Sequence, residues 1–410
     1  MLVVTCVPLI FNPYAIIGFG PIKAVSWAIL VLLCWLMVVF RPNSAPHNHN
    51  AFSLTESLPQ IIYLSIYTIT TISSINLTTS IWGVGDAQGW TTIIIGFLFY
   101  LLIQRIATLT EHQHILQMTV LTAFAIAFYG GAQMISIDPI QWANDATPSY
   151  VQSTLGRSTE LGAYLAIIFP LSLWLWTRVP KTEWWRPLLI TLLIGVVLLL
   201  TLARSALIAL AVAIAVFVLL QQFSRQRLIV AIVSFVGLAT IYLLVSQQAN
   251  QSDVGSGEYT LAEERARTVG FRVATWQSLG PLIRERWGLG YGPETFEQAH
   301  TRFYPREPYH KGSWLTDPHN IFLYHLLGSG VLGVASFLWV IGRYYVRLVR
   351  LCRDLSSQRR HIAIALTATM SAYLTYLQFN PNSVTLMMLF WLMLGMESAL
   401  QAIVAKGIER

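Results

Sequence analysis

Residues 188–221 read LLITLLIGVVLLLTLARSALIALAVAIAVFVLLQ, which is two apolar runs joined by almost no loop. Each run approaches the length that a helix needs to cross about 30 Å of hydrocarbon. The only charge between the two runs is Arg204. Because lipid offers backbone N–H and C=O groups no partner, the stretch predicts two membrane-spanning helices that turn back at Arg204.

The whole chain has the same character. It is 55% hydrophobic and 11% charged over 410 residues, with a mean hydropathy of +0.58. A soluble domain carries about one charged residue in four, so the composition excludes soluble Rossmann enzymes, nucleic-acid-binding domains and secreted disulfide scaffolds. The three scattered cysteines, Cys6, Cys34 and Cys352, predict neither a disulfide framework nor a metal site.

Apolar windows predict an all-α polytopic membrane protein with about twelve transmembrane helices. The windows are 2–19, 22–40, 59–79, 91–104, 115–135, 159–177, 188–203, 205–221, 228–246, 319–342, 362–378 and 384–403. Met1 lacks a following basic region, so the first window is expected to be a retained span and not a signal peptide. The predicted organisation is nine helices over 1–246, a loop subdomain over 247–318 with an amphipathic helical pattern at 261–287, and three helices over 319–410.

Basic residues indicate the orientation of the chain. With the N-terminus in the cytoplasm, the inward loops hold fifteen Lys and Arg residues: Arg41, Arg105, Arg178, Lys181, Arg186, Arg225, Arg227, Arg343, Arg347, Arg350, Arg353, Arg359, Arg360, Lys406 and Arg410. The short outward loops hold Lys23, Arg157 and Arg204. This bias predicts that both termini are cytoplasmic and that the 247–318 loop is external, and it explains the basic pI without nucleic acid.

His319 is the candidate general base. It follows Pro318, which suits the first turn of a helix, so His319 is expected near a helix N-terminus, where the helix dipole opposes protonation. A neutral imidazole can take a proton at physiological pH. The alternative is a structural histidine that caps the helix. Further along, Gly328, Gly330 and Gly333 are expected to let a neighbouring helix approach closely.

Three external arginines are candidate anion ligands. Arg204 lies between two spans, where an arginine needs a partner, a cavity or a lipid head group. Arg157 precedes the sixth span, and Arg272 lies in the long loop. Each could instead be a snorkelling or solvated surface arginine. Together with His319, they favour a site for a phosphate-bearing substrate, because a guanidinium pairs two hydrogen bonds with phosphate oxygens.

No metal site is predicted. The clusters His47, Asn48, His49 and Glu111, His112, His114 lie on short inward loops without further ligands, and no Asp-x-Asp pair occurs in the chain. The glycine-rich stretch from Gly288 to Gly292 is not surrounded by a βαβ unit and is interpreted as a turn.

The chain resembles the bacterial O-antigen ligases, in a superfamily that also contains Wzy-type polymerases and pilin O-oligosaccharyltransferases. His319-Asn320, nine residues, Gly330, two residues and Gly333 fit the family signature of His, then Asn, Ser or Gln, nine positions, Gly, two positions and then Gly, Thr or Tyr. The long loop before it, with the stretch from Gly270 to Pro293, and the turn at Ala203-Arg204-Ser205 are also similar to the family. The stretch around Arg157 departs from it, because many members carry Asn where this chain has Glu160 or Leu161.

The resemblance implies a GT-C-like glycosyltransferase in the bacterial inner membrane, with its active site on the periplasmic face. It would transfer a glycan from undecaprenyl diphosphate to a sugar hydroxyl of lipid A-core or of another glycan acceptor, with inversion and without a metal or other cofactor. The resemblance implies His319 as the base, Arg204, Arg272 and Arg157 as diphosphate ligands, and Asn320, Gly330 and Gly333 as supporting residues. Membrane lipids are the other expected partners, and no nucleic acid is expected. A Wzy-type polymerase is the nearest alternative. A solute transporter is disfavoured, because the sequence has no evident inverted repeat or pair of Gly- or Pro-broken spans.

Overall fold

The computed structural model describes residues 1–14, 19–40, 54–84, 88–106, 108–140, 151–221, 261–304, 316–354 and 357–405. Within these ranges, the regular elements are helices. The fifteen α-helices are α1 Leu2–Leu9, α2 Gly20–Val39, α3 Leu54–Ile72, α4 Leu77–Trp82, α5 Trp90–Gln104, α6 Leu109–Met134, α7 Ser158–Leu175, α8 Trp185–Leu200, α9 Arg204–Gln221, α10 Leu261–Ser278, α11 Gly280–Glu285, α12 Phe296–Phe303, α13 Ile321–Asp354, α14 Ser357–Tyr376 and α15 Val384–Ala405.

Six helices of the described ranges are long and apolar enough to cross a membrane, namely α2, α6, α7, α9, α13 and α15. Two shorter apolar helices, α5 and α8, coincide with two more of the expected windows. The chain is therefore a multi-pass, all-helical membrane protein. The sequence predicted about twelve spans, which is more than the six long and two shorter apolar helices of the described residues. The ninth predicted window, 228–246, lies outside the described residues.

The prediction of a single first span over 2–19 is wrong. Helix α1 ends at Leu9, and Ile10 is already extended with φ −76° and ψ 130°. The Asn12 side chain then accepts a hydrogen bond from the Tyr14 N–H at 3.0 Å. Pro13 lacks the N–H that a continuing helix would need, so the apolar composition is retained but the helix is not.

The core of the bundle is built by α7, α9 and α14, which pack against one another, and by α15, which packs on α5. Small residues allow these close approaches. A Cβ atom on Gly96 of α5 would lie 2.1 Å from the Trp391 ring of α15, and one on Gly395 would lie 2.6 Å from Ile103. A Cβ on Gly162 of α7 would lie 2.8 Å from Thr201 Oγ1, which brings the start of α7 against the turn between α8 and α9.

The starts of α7, α9 and α13 and the end of α14 meet at one end of the bundle, which we call the site end. The Ile321 N–H donates to the Leu377 carbonyl at 2.8 Å and so joins α13 to the end of α14. At the opposite end, ion pairs join α3, α13 and α15. Arg347 Nε lies 3.1 Å from Glu397 Oε1, and both Arg343 and Arg347 pair with Glu56.

Helices α10 to α12 form the described part of the long loop, as the amphipathic pattern predicted. They enclose a small apolar core with one residue of α13. Its buried members are Leu279, Leu282, Tyr291, Phe296, Ala299 and Leu327.

Helix α13 is broken at Gly330, where φ is 66° and ψ is −168°. The backbone of the 287–292 segment fills the break: the Val331 N–H donates to Trp287 O at 2.8 Å, and the Gly292 N–H donates to Gly328 O at 3.0 Å. A Cβ on Gly330 would lie 2.0 Å from Gly288 O. The expectation that these glycines admit a neighbouring helix is therefore wrong. Gly328 and Gly330 instead admit the 287–292 segment, which forms a turn as the sequence predicted and whose N–H and C=O groups satisfy those that the break frees.

Candidate functional site

His319 lies just before α13, in a left-handed conformation with φ 56°. Its Nδ1 is 2.8 Å from the main-chain carbonyl oxygen of Asp317 and 3.7 Å from the Asp317 carboxylate. The His319 side chain is 28% exposed, and its Nε2 makes no hydrogen bond with any described residue. The imidazole is therefore partly accessible, with Nδ1 held by Asp317 and Nε2 without a partner in the part of the chain that the structure describes.

Asn320, and not His319 or Pro318, begins the helix. The Asn320 side-chain oxygen accepts hydrogen bonds from the N–H groups of Phe322 and Leu323 at 3.0 and 3.1 Å, which is the role of an N-cap. Its side-chain nitrogen donates to Gln378 Oε1 at 3.1 Å. The prediction that Pro318 lies in the first helical turn is thus wrong, whereas His319 does lie near the helix N-terminus, and it is not the capping residue. Asn320 instead fixes the position of His319 against the end of α14.

Arg272 reaches the same space from α10. Its Nη2 donates to Asn380 Oδ1 at 3.3 Å, and its Nε is buried without a hydrogen-bond partner in the described residues. Burial lowers the pKa of Arg272, and the positive charge of Arg204 lowers it further. The charge of Arg204 therefore reaches Arg272, and the Arg272 Nε, which has no partner among the described residues, leaves a donor available for an anion.

Arg204 is the first residue of α9 and is exposed. It follows Leu202, which has φ 53°, in the tight turn that leads out of α8. A cation at a helix N-terminus opposes the helix dipole, so this position gives the fold no benefit from the charge. Arg204 makes no ion pair with a described residue, and the helix N-terminus and the guanidinium together provide N–H donors for an anion.

Arg157 precedes α7 and is also largely exposed, with Nη1 4.0 Å from Glu160 Oε1. The residue before it, Gly156, has φ 90°, and a Cβ there would lie 2.5 Å from the Phe19 ring. From this position, the charge of Arg157 contributes to lowering the pKa of His319.

Charge effects on pKa link the four residues that were predicted from the sequence, His319, Arg272, Arg157 and Arg204. Burial is the main cause that lowers the pKa of His319, and the charges of Arg272 and Arg157 lower it further, whereas the hydrogen bond to the Asp317 backbone opposes the shift. Arg204 joins the cluster through its effect on Arg272. The structure therefore brings His319, Arg272, Arg157 and Arg204 together at the site end, around an imidazole that favours its neutral form.

Gly330 and Gly333 do not lie in this cluster. Gly330 seats the 287–292 segment, and Gly333 makes room for Ser329, whose Cβ would lie 2.3 Å from a Cβ at position 333. Gly330 thus contacts the 287–292 segment, and Gly333 packs within its own helix.

Several residues of the site were not foreseen from the sequence. Tyr376 is 1% exposed, and its hydroxyl bonds to the Thr159 side chain among the charges of Glu160, Arg157 and Arg272. Asp317 and Asn380 contact the imidazole and the Arg272 guanidinium. Their positions could have indicated them, because each of these residues lies within a few residues of the end of a predicted span.

Two other features do not contribute to the cluster. The buried His325 lies among aromatic rings beside an enclosed volume of about 20 Å³, which is room for a single water molecule. Glu111, from the dismissed metal clusters, forms the capping box of α6 with Thr108. The other cluster, His47, Asn48 and His49, lies outside the described residues.

Comparison with known proteins gives one family. The family model described as Wzy_C, O-antigen ligase, matches residues 188–338. A search of curated proteins finds no match. The matched range includes Arg204, Arg272, His319 and both signature glycines, whereas Arg157 lies outside it. The chain therefore contains a region, residues 188–338, that is similar to the O-antigen ligase family described as Wzy_C.

Proposed function

We propose that the chain is an inverting glycosyltransferase that moves a glycan from undecaprenyl diphosphate to a sugar hydroxyl of lipid A-core. One observation carries the proposal: a partly exposed imidazole, whose Nε2 has no hydrogen-bond partner among the described residues, feels the charges of Arg272 and Arg157, and the Arg272 Nε is buried without a partner in the same part of the chain. A base next to cationic diphosphate ligands is the arrangement that this transfer requires.

The proposed transfer is a single displacement at the anomeric carbon of the donor. His319 Nε2 takes the proton of the acceptor hydroxyl as the hydroxyl oxygen attacks the anomeric carbon. The bond from that carbon to the diphosphate oxygen breaks, and the diphosphate leaves with the electron pair. Arg272, Arg204 and Arg157 stabilise the charge that grows on it. The protonated His319 then returns its proton to water.

The reaction is proposed to need no metal or other cofactor. A diphosphate is already a good leaving group, and fixed guanidinium groups supply the positive charge that a divalent cation supplies elsewhere. Activity that persists in excess EDTA supports this part of the proposal, and activity that EDTA abolishes contradicts it.

The site end is proposed to face the periplasm of a bacterial inner membrane, with both termini in the cytoplasm. Arg343 and Arg347 of α13 lie at the opposite end, and basic residues concentrate on the cytoplasmic side of membrane proteins. Labelling of single cysteines from outside intact spheroplasts tests this orientation: a cysteine at exposed Trp287 should react, and one at exposed Arg350 should not.

The main experiment uses purified protein in lipid nanodiscs with a glycan on undecaprenyl diphosphate and lipid A-core as the acceptor. His319→Ala should abolish the glycosidic product, whereas His114→Ala, at an exposed histidine in α6, should leave it unchanged. Full activity of folded His319→Ala refutes the proposed base. Arg204→Ala should weaken donor binding, whereas Arg186→Ala, at an exposed arginine paired with Glu183, should not.

A Wzy-type polymerase would use the same residues with a second lipid-linked glycan as its acceptor. The same assay with that acceptor distinguishes the two functions. Product with the lipid-linked glycan alone replaces the ligase proposal by the polymerase. A transporter is not favoured, because the break in α13 is filled by backbone hydrogen bonds to the 287–292 segment.

A further inference from the structure

Asp317 contacts His319 in three ways. Its main-chain carbonyl oxygen lies 2.8 Å from His319 Nδ1, its carboxylate accepts a hydrogen bond from the His319 N–H, and the same carboxylate oxygen lies 3.7 Å from Nδ1. The carboxylate is 14% exposed. One residue thus holds both the backbone and the ring of His319.

These contacts decide which nitrogen can act as the base. A carbonyl oxygen can only accept a hydrogen bond, so Nδ1 must carry the ring proton in the neutral form. The lone pair is then on Nε2, the nitrogen that faces the open space. When Nε2 takes a proton, the ring becomes a cation, and the carboxylate stands close enough to stabilise it.

The left-handed backbone of His319 also needs support. A non-glycine residue in this region costs free energy and persists only where neighbours hold it. The Asp317 carboxylate holds the N–H of His319, and Trp276 Nε1 donates to the Pro318 carbonyl at 2.8 Å from the α10 side. The loop is therefore held on both sides of the ring.

We propose that Asp317 is a positioning residue, which keeps the proton of His319 on Nδ1 and stabilises the imidazolium that forms when Nε2 accepts the acceptor's proton. This inference rests on the proposed base role of His319. Among the described residues, the charged groups of other elements that act on the ring are Arg272 of α10 and Arg157 before α7, and both oppose the imidazolium. Behind them, Arg204 acts on Arg272, and Glu160 lies beside Arg157.

The test is the pH dependence of kcat/KM for Asp317→Asn, which keeps the carbonyl and the shape but removes the charge. The acid limb should move to lower pH by about one unit, the shift for unit charges 3.7 Å apart in water-like surroundings. The plateau should fall by roughly threefold to tenfold, because a weaker base takes the proton less readily. Asp138→Asn is the matched control, since Asp138 is also a hydrogen-bonded aspartate and bonds to Tyr129 and Gln133 of α6.

An unchanged acid limb in folded Asp317→Asn, with His319→Ala inactive, overturns the role of Asp317 and leaves the proposed function in place. Full activity of His319→Ala overturns both. A second measurement needs no Asp317 variant: the ¹⁵N NMR signal of His319, assigned by its loss in His319→Ala, should report the tautomer protonated at Nδ1. The tautomer protonated at Nε2 contradicts the proposal.

Discussion

Replacement of Gly330 by alanine tests the link between the broken helix and the site. At φ 66° and ψ −168°, Gly330 occupies a region that is open essentially to glycine alone, so a side chain there costs about 1–3 kcal/mol. The new Cβ would also lie 2.0 Å from Gly288 O and 2.2 Å from Gly288 C. Both are backbone atoms, so the 287–292 segment must move as a unit.

The movement breaks the hydrogen bonds across the break in α13. Val331 N to Trp287 O and Gly292 N to Gly328 O each contribute about 1 kcal/mol. With the backbone strain, the total destabilisation is about 3–5 kcal/mol. The same segment connects to α11 and α12 and, through them, to α10 and Arg272, so displacement of the segment should also separate Arg272 from His319 and abolish transfer.

Gly342 is the matched control on the same helix. A Cβ there meets no heavy atom within 4 Å, and alanine in a helix interior is more stable than glycine by up to about 1 kcal/mol. Thermal unfolding in one detergent, followed by tryptophan fluorescence, should show a melting temperature several degrees lower for Gly330→Ala and an equal or higher one for Gly342→Ala. If Gly330→Ala keeps both its melting temperature and its transferase activity, the argument from the break is refuted.

Three further predictions follow from the site and the opposite end. First, because burial and two arginines lower the pKa of His319, kcat/KM should stay on its plateau below pH 6.5 and fall only as the pH drops through the lowered pKa; a midpoint above 6.5 contradicts this. Second, Arg272→Lys should weaken donor binding by roughly tenfold while Tm is unchanged, because lysine keeps the charge but not the planar fork; unaltered donor affinity in a titration contradicts it. Third, Arg347→Ala should lower Tm strongly, since it leaves Glu397 buried without its partner at about 3–5 kcal/mol, whereas Arg350→Ala, at an exposed arginine, should not.

The candidate cluster could be predicted from the sequence because of where its residues stand. Arg157, Arg204 and His319 each lie at a span terminus, and alternation of the chain across a membrane puts every second terminus at the same end of the bundle. A charge at such a position also stands out against apolar neighbours. Order along the chain thus predicts proximity in space for these three residues. The charge of Arg157 does act on His319, whereas that of Arg204 acts on Arg272.

The break in α13 and the short α1 could not be predicted in this way. Both depend on tertiary partners: the 287–292 segment supplies the hydrogen bonds that let α13 break at Gly330, and Lys23 donates to the carbonyls of Val7 and Pro8 at the end of α1. Hydropathy also does not separate a lipid-facing helix from a central one. Helix α2 is largely exposed in the isolated chain and α15 is almost wholly buried, although both read as apolar runs.

In the proposed function, the arrangement of charges would couple the binding of an anionic donor to the protonation of His319. In the free protein, Arg272 and Arg157 repel the protonated form of His319, and Arg204 repels Arg272, so the cluster carries positive charge that no described carboxylate other than Asp317 and Glu160 offsets. A diphosphate among the arginines would reverse this, because its negative charge screens His319 from them and favours the imidazolium. The donor would then make His319 a stronger base in the complex than in the free protein. Proton transfer would thereby be coupled to occupation of the diphosphate subsite, and the imidazole would stay neutral and ready until the donor arrives.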